Sequence, residues 1–158
     1  MIYYDKDGIK VRDSEEDDIK YLRYNLRLSD VDEIWASNHV DPNTALREGL
    51  KNSSVCLTVL KRSPIAMFGC CPSSLISDRA VIWMLATNDL ISIKTPFIRY
   101  SRKFVDVMLE QYPLLYNWVD ARNTHSVLWL KRIGADVQEA KPFGVENLPF
   151  HYFEFTKG

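Results

Sequence analysis

The sequence predicts an α/β fold of the α+β kind, with a mixed central sheet of six or seven strands and helices on both faces. Three observations predict it. Residues 55–61 (VCLTVLK), 65–71 (IAMFGCC) and 80–87 (AVIWMLAT) are β-branched or aromatic runs, joined by connections short enough for an antiparallel meander. Residues 80–121 run strand, helix, strand, the order that usually builds a parallel pair. The N-terminal third carries apolar residues at helical spacing.

In chain order, residues 8–13 (GIKVRD) form a short strand, and Ser14 followed by Glu15, Glu16 and Asp17 marks a helix N-cap with acids in the first turn. Ile19, Leu22 and Leu26 give that helix an apolar side over residues 15–28. A second helical stretch starts at Ser29, with Val31, Ile34 and Trp35 apolar. Asp41-Pro42 opens a third, because proline at the first helical position has no N–H to waste. The third run of the meander is apolar on both alternations and belongs in the middle of the sheet. Thr95-Pro96 then begins the clearest helix, residues 96–112, with Phe97, Phe104, Met108 and Tyr112 on one side and Arg99, Arg102 and Lys103 on another. Pro113 ends it, and residues 115–121 (LYNWVDA) read as a strand. Asn123 caps a short helix carrying Val127, Leu128 and Ile133, and Gly134 suits the position just past its end. Residues 136–140 and 150–155 supply the last strands, within a single domain spanning residues 1–158.

The composition, 46% hydrophobic and 26% charged with net charge −1, gives no whole-molecule attraction to nucleic acid or an anionic membrane. Cys70 and Cys71 are adjacent, a spacing that disfavours a bridge between them, so the cysteines read as reduced strand residues. They lack the paired spacings of a zinc site, and no metal is expected. The charged N-terminus has no apolar signal core and no later run is long enough to cross a bilayer, so the expected location is cytoplasmic.

The segment from Asn123 to Ala135 (NTHSVLWLKRIGA), with the order of elements, resembles the GNAT superfamily of acyl-CoA N-acyltransferases over nearly the whole chain. Trp83–Thr87 (WMLAT), Tyr116–Asn123 (YNWVDARN) and Pro142–His151 (PFGVENLPFH) are together similar to bacteriophage GNAT-like proteins, some of whose relatives are internal virion proteins of short-tailed phages. The resemblance implies a phage origin, a location in host cytoplasm or virion, and acetyl-CoA as cofactor. In the family two parallel strands splay, pantetheine hydrogen-bonds along one of them like an extra strand, and pyrophosphate rests on the loop entering the long helix. Carried onto this chain, the cofactor positions are Leu85, Ala86, Thr87, Lys94, Thr95, Phe97, Arg99, Arg102, Asn123 and Trp129. Asp120 and Thr87 are the polar candidates for catalysis.

The departures from the family pattern are specific. No glycine occurs between Gly69 and Gly134, so the glycine-rich pyrophosphate loop is absent, and Pro96 removes a further donor. Lys94, Arg99 and Arg102 either replace that loop with side-chain contacts or form a solvated basic face in which Arg102 pairs with Asp106. Leu130 stands where many members carry a tyrosine acid, and residues 80–87 hold no ionisable side chain to act as base. Asp120 is either a base acting through water or the partner of Arg122. Two functions follow. The first is N-acetyl transfer from acetyl-CoA to an amine or protein acceptor; the second is a catalytically reduced protein that binds a phage or host protein or enters the virion. Homodimerisation is open, nucleic acid and membrane are not expected partners.

Overall fold

The computed structural model describes residues 1–93 and 95–157, apart from the side chain of Pro96. The chain begins with β1 (Ile2–Lys6) and β2 (Ile9–Asp13), followed by α1 (Glu16–Asn25), α2 (Leu28–Asn38) and α3 (Pro42–Asn52). Next come β3 (Val55–Lys61), β4 (Ser63–Pro72) and β5 (Arg79–Ala86), a 3-10 helix at Asn88–Ser92, α4 (Thr95–Gln111) and β6 (Leu114–Asp120). The chain closes with α5 (Thr124–Arg132), β7 (Asp136–Val137), β8 (Lys141–Phe143) and β9 (Leu148–Thr156).

Among the described residues the sheet has nine strands, ordered β1-β2-β3-β4-β5-β6-β9-β7 with β8 paired to β9, two more than the upper expectation. The additional strands are β1 and β8. β1 is a mostly exposed edge strand with no alternation to betray it, but Asp7 (φ 57°) and Gly8 (φ 78°) form the two-residue left-handed turn that joins it to β2. The strand expected over 136–140 stops at Val137, and the chain then turns into β8.

Two helix caps differ from expectation. Glu15, not Ser14, is the N-cap of α1, with Asp18 accepting its N–H, while the Ser14 hydroxyl pairs with Thr58 at 2.8 Å. Asn123 occupies the cap position of α5 but makes no side-chain cap bond, because its amide is directed toward α2.

The sheet separates two apolar layers. Ile19, Leu22 and Leu46 of α1 and α3 cover one face with Met67 and Leu85. On the other, α4 and α5 bring Phe97, Phe104, Met108 and Leu130 against Ala80, Ala86, Leu115 and Phe155. Residues 83 and 85 of β5 therefore face the three-helix layer, and 80, 84 and 86 face α4 and α5.

β5 and β6 are parallel neighbours over only three positions, Arg79–Val81 against Leu114–Tyr116, and then part. The Asn117 side chain spans the start of the gap, donating to the Ile82 carbonyl (2.7 Å) and accepting the Trp118 N–H (2.7 Å).

Candidate functional site

A cavity of about 630 Å³ occupies the gap and passes from one face of the sheet to the other. Phe97, Phe104 and Met108 line it on the α4 side; Glu33, Glu48, Trp83, Trp118 and Phe143 line it on the three-helix side. A second hollow of about 450 Å³ lies between the 3-10 helix, α4 and α5, lined by Leu28, Thr87, Ile91, Ile98, His125 and Trp129.

The open edge of β5 is met by the linker between α1 and α2. Thr87 N–H points to β4, donating to the Ile65 carbonyl, so Ala86 points into the gap. Its carbonyl accepts the Arg27 N–H (2.9 Å) and its N–H donates to Asp30 Oδ2 (2.8 Å), while Leu26 and Thr87 form a β-bridge. Arg27 Nε lies 2.9 Å from the same Asp30 oxygen, and Arg27 Nη2 donates to Ser126 Oγ at 2.8 Å. Both backbone groups of Ala86 are thus occupied by the chain itself.

Next to this clamp the sequence folds three acids together. α2 places Asp30 and Glu33 one turn apart on its inner face, and the end of β6 brings Asp120. Glu33 Oε1 accepts the Asp120 N–H (2.8 Å) and a long contact from the Asn123 amide (3.5 Å), which also donates to Asp30 Oδ1 (3.2 Å). Burial pushes the Glu33 carboxyl up to about 8, with the charges of Asp30 and Asp120 adding to the rise and its two donors opposing it. A carboxyl so placed exchanges a proton near neutral pH, the property required of a general base.

The structure places the sequence-named residues as follows. Leu85 is buried against the three-helix layer, and Ala86 is the clamped position. The Thr87 hydroxyl caps the 3-10 helix by accepting the Asp89 N–H (3.2 Å). Lys94 lies outside the described residues; Thr95 is exposed at the start of α4. Phe97 packs edge-on against Tyr4 and belongs to the core. Arg99 is exposed, whereas Arg102 is tied to Asp106 (2.8 Å) and to the Ile133 carbonyl (2.9 Å) at the end of α5, over the Phe155 ring. Asn123 joins the acid cluster, and Trp129 lines both hollows. Asp120 is buried and holds Arg122 by a two-pronged ion pair, with 2.7 Å at the closer contact.

Among the described residues, Arg99 is therefore exposed and Arg102 is engaged by its own neighbours. Arg102 is a structural tie, which is the pairing that its spacing from Asp106 suggests. Leu130 is buried in the core, and burial together with a hydrogen bond to Glu154 pushes the Tyr152 hydroxyl up to about 12, making it a reluctant proton donor. Glu33 was missed in the sequence. Its signal is weak but present: Asp30, Glu33, Ile34 and Ser37 fall on one helical face, so acids share a face with an apolar residue. Among the described residues no group of three or more His, Cys, Asp or Glu is placed to hold a metal, and no helix is long and apolar enough to cross a membrane.

The architecture is that of the GNAT acetyltransferases. The chain is similar to ribosomal-protein-S5-alanine acetyltransferase from Vibrio fischeri, with a TM-score of 0.67 at 10% identity, covering 99% of this chain and 96% of that one. Spermidine N-acetyltransferase from Vibrio cholerae, solved with CoA and spermine, gives 0.67 at 12% identity over 94% and 95% of the two chains. In sequence, the chain is 31% identical over 134 residues to the "Probable scaffold protein gp13" of Escherichia phage T7, spanning 80% of this chain and 91% of that protein. Residues 64–140 match the family model described as "Bacteriophage T7, probable scaffold protein Gp13". The chain belongs to this phage gp13 family.

Proposed function

We propose that the chain acts in assembly of a bacteriophage particle, using the GNAT fold as a scaffold for protein contact and the cavity between β5 and β6 as a recognition site instead of an acyl-CoA site. The carrying observation is the occupied edge at Ala86. An extended pantetheine needs backbone N–H and C=O groups on that edge, and Arg27 and Asp30 already satisfy both. Displacing them would strip a buried carboxylate and an arginine of their partners, a cost of several kcal/mol, about 3–5 for a broken buried pair. The glycine-free loop, the buried Leu130 and the name of the T7 relative support the same reading. The test has two arms. Calorimetric titration of the purified chain with acetyl-CoA and CoA is expected to give no heat at millimolar ligand, and mass spectrometry of particles isolated during assembly is expected to find the chain. Saturable acetyl-CoA binding, or absence from every assembly intermediate, contradicts the proposal.

One observation favours a second reading, acetyl transfer to an amine: Glu33, exchanging a proton near pH 8 on the wall of the cavity, suits deprotonation of an incoming ammonium. This reading requires the α1–α2 linker to leave Ala86. The calorimetric arm separates the two.

A further inference from the structure

We propose that the three-helix mouth of the cavity is a guanidinium pocket, which receives an arginine side chain of the partner protein. The inference rests on the contact-site reading above and names the chemistry of the contact.

The walls come from the two parted strands. Val81 is the register partner of Tyr116, so two residues further on Trp83 stands opposite Trp118, both on the three-helix face, with the cavity between the strands. Each indole is held. Trp83 donates from Nε1 to Ser53 Oγ (2.8 Å) and lies so close to Gly49 that a Cβ there would sit 2.5 Å from its ring. Trp118 stacks on Phe143 with centroids 4.3 Å apart and planes 9° from parallel. Fixed flat π-faces favour a flat cation.

The charge is complementary. Glu33 from α2 and Glu48 from α3 line this side, and the cationic residue in the described lining, Arg27, is already engaged by Asp30 and Ser126. Glu33 Oε2 and both Glu48 carboxylate oxygens accept no hydrogen bond among the described residues, although Glu48 is open to water. A guanidinium fits better than an ammonium, because it is weakly hydrated, stacks on indoles and offers several donors to two carboxylates. The other charged groups acting around Glu33 are Asp30, Asp120 and Arg122, with Asp32 beside Arg122, and the Arg122 guanidinium is spent on Asp120. A cation beside Glu33 therefore favours its ionised form and expels a proton.

The occupant is a protein side chain because of what surrounds the mouth. The β8–β9 hairpin is seated on the end of α2, with Val145 N–H on the Ser37 carbonyl (3.2 Å) and Gly144 (φ 79°) too close to Ala36 and Ser37 to carry a Cβ. Ser37 lines the cavity, and at the same helix end Trp35 and Val145, each 51% exposed, flank the His39–Glu146 ion pair (3.1 Å), a mixed apolar and polar rim on which a partner backbone can rest.

The test titrates N-acetyl-L-arginine methylamide into the full chain, with N-acetyl-L-lysine methylamide in parallel, following the indole N–H signals of the tryptophans by NMR. Saturable shifts at Trp83 and Trp118 are expected with the arginine probe. Glu33→Gln and Glu48→Gln are each expected to weaken it about 5- to 30-fold, and Trp118→Phe by less than Trp118→Ala. Thermal melts of the variants verify folding. At pH 7 the binding heat is expected to depend on the ionisation enthalpy of the buffer, reporting the released proton. Lysine binding as tight as arginine, no saturable shift, or affinity unchanged in both glutamine variants overturns the pocket. Acetyl-CoA is titrated into the same samples: if it is silent while the arginine probe fails, only the pocket falls; if it binds, the contact-site reading falls instead.

Discussion

Two carboxyls packed against the sheet, Asp18 and Glu33, pull stability in opposite directions with pH. Burial alone would raise Asp18, but two Arg12 donors (2.8 and 2.9 Å), the Glu15 N–H and the Thr58 hydroxyl (2.7 Å) carry it below the ordinary carboxylate range. Its contribution is present above the unfolded value near 3.8 and lost as pH falls below it. Glu33 is the reverse. Its folded value near 8 exceeds the unfolded 4.5, so the folded state binds the extra proton between them. Stability from this group is complete below pH 4.5 and declines up to pH 8, by at most about 1.4 kcal/mol per unit. Denaturant titrations of Glu33→Gln are therefore expected to lack the decline between pH 5 and 8 that the native chain shows; parallel curves would remove Glu33 from the buried cluster. Asp18→Ala is expected to cost about 3 kcal/mol at pH 7, because Arg12 and Thr58 lose their shared partner. Neither carboxyl was legible in the sequence. Both sit in acid-rich helical stretches, SEEDD read as an N-cap with acids in the first turn and SDVDE read only for its apolar side, and tertiary contacts decide which acid turns inward.

The elements themselves were far more legible. The meander, the long helix ended by Pro113, the parallel strand after it and the glycine beyond α5 follow from local chemistry, and Gly134 takes φ 101° as that position requires. β1 hid because an edge strand lacks alternation, although Asp7-Gly8 announced its hairpin. The resemblance implied that β5 and β6 part; what the sequence could not reveal is that they do so after three paired positions and that Asn117 bridges the start of the gap. Asn117→Ala removes both seam bonds at once. It is expected to cost about 1–2 kcal/mol and to speed hydrogen exchange at the Trp118 amide, which loses its acceptor. Unchanged exchange there would mean that another group holds the seam. Gly69 tests the neighbouring register: a Cβ would lie 2.1 Å from the Val55 carbonyl oxygen, so Gly69→Ala must push β3 from β4. A loss above 2 kcal/mol, on the scale of other overpacking substitutions, is expected in thermal melts, roughly 1–3 being usual.

At the scale of the whole molecule, the GNAT acetyltransferase fold and membership of the phage gp13 family meet in one chain. The GNAT order of elements survives at 10–12% identity to solved acetyltransferases, because packing of sheet and helices tolerates wholesale substitution as long as pattern and volume persist. A glycine-free loop and a leucine where many GNAT members carry a tyrosine leave the layers intact, and the α1–α2 linker occupies both backbone groups of Ala86 at the edge of the gap. Sequence carried the first two departures openly and concealed the third, since Arg27 and Asp30 acquire their roles only when the α1–α2 linker reaches β5. The most direct measurement is a crystal structure grown in saturating acetyl-CoA. The account predicts Asp30 still accepting the Ala86 N–H, with no ligand density along β5; pantetheine hydrogen-bonded to Ala86, with the linker displaced, would contradict it.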